Sequence, residues 1–182
     1  MDKIDKLADN LPKTEEKIKS AYEDCTKEKR IIEKAKTFVN VPNKSYKDYL
    51  ESALNALKAA QTLLDNKCYE WVIVPAYSAI FQAGNAVLIK ELGRECKDHF
   101  CLLISLLKLK KLGAEEAEKI SKIKDKLAEI SEKEIGFASK LRLVRSSIIY
   151  KPSLEYNEKE IAEEVFKNAQ NFVNKISGIL RQ

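Results

Sequence analysis

The chain has 182 residues, of which 45% are hydrophobic and 34% charged, so it is long enough for one domain with a substantial core. Only five glycines and four prolines interrupt it, which excludes a low-complexity chain, and the abundance of Lys, Glu, Ala and Leu predicts an all-helical fold. The net charge of +5 is concentrated, because residues 89–151 carry 15 basic and 10 acidic groups while the flanking segments nearly balance. Such a segment either attracts phosphates or forms a solvated helix face.

Residues 12–39 place Ile18, Tyr22, Cys25, Ile32, Ala35 and Val39 on one helical stripe, with charged residues elsewhere. A short helix over residues 2–9 precedes it. The stretch VPNKS, residues 41–45, is a break, and Asn43 or Ser45 can cap the next helix. That helix runs to about residue 65 with Tyr46, Tyr49, Leu50, Ala53, Leu54, Leu57, Ala60 and Leu64 as its apolar stripe.

After a turn at Asp65-Asn66-Lys67, residues 68–92 form a third helix. Its run WVIVPAYSAIFQAGNAVLI holds 19 residues without a charge. Pro75, Gln82 and Asn85 interrupt the run, and small residues allow close helix approach, so a buried central helix is expected rather than a membrane span. Gly93 is placed to end it as a left-handed cap, RECKD is read as a loop, and Asp98 caps a helix reaching about residue 110. Residues 114–149 form a long helix, with Gly136 as a kink point and Pro152 closing it. Asn157 caps a last helix with Ile161, Val165, Phe166, Ala169, Phe172, Val173, Ile176 and Leu180 on its stripe. Short connections between such helices predict an up-and-down antiparallel bundle over residues 43–182, with residues 1–42 as an N-terminal helical extension.

The sequence contains neither a G-x-x-x-x-G-K-S/T loop nor a G-x-G-x-x-G turn, and its single histidine, His99, rules out H-E-x-x-H. Cys96, His99 and Cys101, joined by Cys25 or Cys68, could be imagined around zinc, but no C-x-x-C pair supports that spacing. The reading adopted is that Cys101 faces the core and His99 lies in the first turn of the Asp98-capped helix. No metal and no cofactor are expected. The polar, charged N-terminus carries no signal peptide, which predicts a cytoplasmic protein with reduced thiols and no membrane association.

Two segments carry a family resemblance. AYSAIFQAGNAVL, Ala76 to Leu88, followed by Lys97-Asp98-His99, is similar to the A-Y-Y-A-M-F helix and K-T-H of an uncharacterised prokaryotic branch of the HEPN family. RSSIIY, residues 145–150, resembles the R-x-x-A-D-Y that ends a long helix in that branch. The resemblance covers about residues 45–180 and implies a HEPN-like helical bundle. Many HEPN domains are metal-independent ribonucleases in which an Arg, a polar residue and a following His from two copies form one cleft across a homodimer. Here Arg145 and Ser146 stand in the motif, while Tyr150, Lys151 and Pro152 occupy the places of the histidine.

The resemblance therefore implies a dimeric binding or regulatory module. It would contact RNA or nucleotide through Arg142, Arg145, Ser146 and Lys151, with His99 in support, and would pair with a small nucleotidyltransferase in a toxin–antitoxin-like setting. One alternative is a divergent ribonuclease using Arg145 with Tyr150, or with His99 of a second copy. Another is a structural helical adaptor. For single residues the plainer readings stay open: Arg145 bonded to last-turn carbonyls or paired with Glu134 or Glu155, and Tyr150 as a core aromatic.

Overall fold

The computed structural model describes residues 11–27, 37–135 and 158–181. Among them are six helices: α1 (Glu15–Thr26), α2 (Tyr46–Asp65), α3 (Tyr69–Leu92), α4 (His99–Lys108), α5 (Ala114–Ile135) and α6 (Glu158–Leu180). They form an up-and-down bundle with α1 as an additional N-terminal helix. Two three-residue strands, β1 (Phe38–Asn40) and β2 (Arg94–Cys96), pair antiparallel with Phe38 opposite Cys96 and Asn40 opposite Arg94.

Helix α3 is the axis of the bundle and packs against α2, α4, α5 and α6. Its central position follows from its side chains. Ala76, Ala79, Ala83 and Ala86 are fully buried and let neighbouring helices approach, while Val72, Val87, Leu88 and Ile89 fill the remaining space. Each large side chain buried in this way contributes about 1.5–3 kcal/mol. Gly84 allows the closest approach, since a Cβ there would lie 3.1 Å from Leu102 Cδ2 and 3.2 Å from Leu106 Cδ1 of α4. Among the described residues α3 is also the one helix long and apolar enough to cross a membrane, and 72% of its most apolar window is buried inside the bundle.

The helix ends show which local expectations hold. Gly93 adopts φ 67°, and its N–H closes on the Ile89 carbonyl at 2.9 Å. A side chain at that position would also meet Asn43 Oδ1 at 2.9 Å. Asp98 caps α4 by accepting the Cys101 N–H at 2.8 Å. Ser45, by contrast, makes no capping bond. Residues Asn43–Ser45 instead form a 3₁₀ turn that leads into α2, with Ser45 N–H donating to the Pro42 carbonyl at 2.9 Å. The α6 stripe is buried as its spacing predicts, except for half-buried Ile161, whereas Leu54 of the α2 stripe is 43% exposed. Lys90 reaches across the bundle and donates to the Leu180 carbonyl at 3.0 Å, satisfying an acceptor at the end of α6.

The N-terminal stripe is not one continuous helix. Helix α1 stops at Thr26, and Val39 belongs to β1. Nor are all the thiols reduced: Cys25 of α1 and Cys101 of α4 are joined in a disulfide across 76 positions. In the chain-entropy description, closing a loop of that length restricts the unfolded chain by about 4.5 kcal/mol. Cys101 is 8% exposed, in keeping with its expected core orientation.

Candidate functional site

Tyr77, Phe81 and Asn85 recur every fourth residue and so share one face of α3. The segment β2–Asp98–His99 is held against that face. Asn85, 1% exposed, donates to the Cys96 carbonyl at 3.1 Å and accepts the Cys96 N–H at 2.7 Å. The strand register explains this pairing. Lys97 N–H donates to the Thr37 carbonyl and Val41 N–H to the Gly93 carbonyl, so the ladder bonds fall at odd-numbered positions along residues 93–97 and the Cys96 groups point away from β1. Asn85 takes the place of a third strand at that edge.

Asp98 then caps α4 and sets His99 on its first turn. The His99 Nδ1 and the Tyr77 hydroxyl share a hydrogen bond of 2.8 Å, and the Phe81 ring lies 4.6 Å from the imidazole, centroid to centroid. Burial is the main cause that lowers the His99 pKa; Asp98 opposes it and Lys124 of α5 adds to it. The imidazole is therefore neutral at physiological pH. Burial, followed by the Asp98 and Asp125 carboxylates, pushes the Tyr77 phenol far above its ordinary range, so its hydroxyl keeps its proton. A neutral imidazole and a protonated phenol thus sit together at the start of α4, within electrostatic reach of Lys124 and Asp125.

This geometry places one of the site residues expected from sequence. His99 is held as the Asp98-capped reading predicts. Arg142, Arg145, Ser146, Tyr150 and Lys151 lie outside the described residues, as do the Gly136 kink point and the Asn157 cap. Tyr77, Phe81 and Asn85 were not singled out as site residues by the sequence reading, although their four-residue spacing and the lone asparagine in an apolar run were visible signals.

The cysteines do not assemble a zinc set. Cys101 is tied to Cys25, Cys68 is exposed, and the buried Cys96 thiol donates to the Asp98 carbonyl at 3.2 Å. Burial pushes that thiol up to about 12, away from the thiolate a metal would need. Among the described residues no group of three His, Cys, Asp or Glu side chains is arranged to hold a metal ion.

No curated protein matches this sequence. The HEPN domain model matches residues 46–179, which is more than half of the chain and includes α2 through nearly all of α6. The chain is a member of the HEPN domain family.

Proposed function

We propose that this HEPN domain is a cytoplasmic binding or regulatory module that contacts RNA or nucleotide through Arg142, Arg145, Ser146 and Lys151. The observation that carries this reading is the placement of charge. The whole excess of the chain falls in residues 89–151, inside the family-matched region and around the motif arginine. An arginine presents a planar fork suited to phosphate oxygens, and Ser146 adds a neutral hydrogen-bonding group beside it. The motif histidine is replaced by Tyr150, whose phenol is a poor base at neutral pH, which favours binding over cleavage.

In this reading the module works as a homodimer and pairs with a small nucleotidyltransferase in a toxin–antitoxin-like setting. Residues 1–42 are an extension on the domain of residues 43–182, a division supported by the start of the family match at residue 46. Incubating the purified protein with labelled RNA and mononucleotides tests the reading. Retention of intact RNA, weakened by Arg145→Ala, is the expected result. Cleavage that disappears in Arg145→Ala and Tyr150→Phe would replace the module with a metal-independent ribonuclease. Sedimentation as a monomer at working concentration would remove the dimer.

A further inference from the structure

Helix α1 is attached to the bundle in an unusual way. It has no fully buried residue, and Ile18, Ala21 and Tyr22 are only partly covered where it lies against α4. Its Glu15–Lys110 ion pair, at 3.4 Å, joins side chains that are more than four-fifths exposed, and such a pair contributes little. The strongest link is covalent, through Cys25 and Cys101.

The surface under α1 is poorly satisfied. Tyr22 lies over two cations, with Lys108 Nζ 3.6 Å from its ring centroid and the Arg94 guanidinium carbon 5.9 Å from it. One Arg94 terminal nitrogen donates to the Tyr22 hydroxyl, and the guanidinium also stacks 4.5 Å from the Phe38 centroid. The Arg94 Nε is nonetheless buried without a hydrogen-bond partner. The buried, unpaired Arg94 Nε is a cost in the docked state. The ring contacts favour docking but are individually small.

We infer that the Cys25–Cys101 disulfide is a reversible redox latch: it holds α1 against α4 and Arg94, and a dithiol reductant releases α1 from them. Cys25 is the more exposed sulfur and the accessible point of attack, since Cys101 is buried. A thiolate of the dithiol attacks Cys25 Sγ, forming a mixed disulfide and expelling the Cys101 thiolate, which takes a proton. The second thiol of the reductant then displaces Cys25. Two electrons and two protons pass to the protein, and the dithiol leaves as its own disulfide. The latch does not depend on whether RNA is the ligand of this domain.

Hydrogen exchange on the full chain, oxidised or treated with dithiothreitol and alkylated, tests the latch. The reduced protein is expected to lose at least tenfold of its amide protection across Glu15–Thr26, while α2 and α3 keep theirs. The Cys25→Ser variant should behave like the reduced protein without any reductant. Equal α1 protection in the oxidised and reduced proteins would overturn the latch. So would a disulfide that dithiothreitol cannot reduce while α2 and α3 remain protected, since it would then be a permanent staple.

Discussion

Replacing Asn85 with alanine removes both groups that satisfy Cys96 on the edge of β2 facing away from β1. Because Asn85 is 1% exposed and Cys96 is equally buried, the orphaned N–H and carbonyl cannot simply turn to bulk water. Each unsatisfied buried group costs about 1–3 kcal/mol, and partial relaxation places the expected loss near 3 kcal/mol. For a chain of this size that corresponds to a fall of roughly 6–12 °C in Tm, which thermal unfolding followed by far-ultraviolet circular dichroism can read. Asn85→Asp retains the acceptor for the Cys96 N–H but loses the donor and buries a charge, so it should also destabilise the fold. Loosening β2 and Asp98 should admit water to His99 and return its titration toward 6.5, measurable from the imidazole resonances. An Asn85→Ala protein within about 1 kcal/mol of wild type, with His99 titrating unchanged, would refute the role given to Asn85.

At the α3–α4 crossing, Gly84→Ala gains about 1 kcal/mol of helix propensity but presses a methyl group against Leu102 and Leu106, so its stability should stay within about 1 kcal/mol of wild type. Gly84→Leu cannot be absorbed there and should lose roughly 3 kcal/mol in denaturant unfolding; equal stability would contradict the close contact. His99 sets a pH dependence whose sign follows from its lowered pKa. As the pH falls below 6.5, the unfolded chain takes up the proton before the folded one, so stability falls until the lower folded pKa is passed. His99→Gln should remove that slope, and an unchanged slope in the variant would assign it to another group.

How much could be read from sequence depended on how local each cause is. The α6 stripe from Val165 to Leu180 and the burial of α3 follow from side-chain periodicity and composition over long windows. The Gly93 and Asp98 caps were legible because one residue carries the backbone requirement. Neither strand is legible: RECKD reads as a loop and Val39 as the end of a helical stripe, since three residues are too few for an alternating pattern to show. The ends of the disulfide are 76 positions apart, and only the docking of α1 on α4 brings them together, so the expectation of reduced thiols failed for Cys25 and Cys101. Leu54 fits the α2 stripe by spacing yet is 43% exposed, because a helical stripe does not say where the neighbouring helices stop.

The candidate site divides along the same line. His99 and its Asp98 cap were visible as a local motif. Its partner Tyr77, 22 positions away on another helix, became apparent only once α3 and α4 were packed. Asn85 was visible as an interruption of an apolar run, but its bonds to Cys96 depend on the strand register.

The direct test of the proposed function is equilibrium binding of labelled RNA and mononucleotides to the wild-type protein and to Arg145→Ala, measured at several salt concentrations. The account predicts binding that weakens as salt rises, and at least a tenfold loss in Arg145→Ala, equivalent to about 1.4 kcal/mol. Equal affinity of the two proteins, or no binding by either, would contradict it.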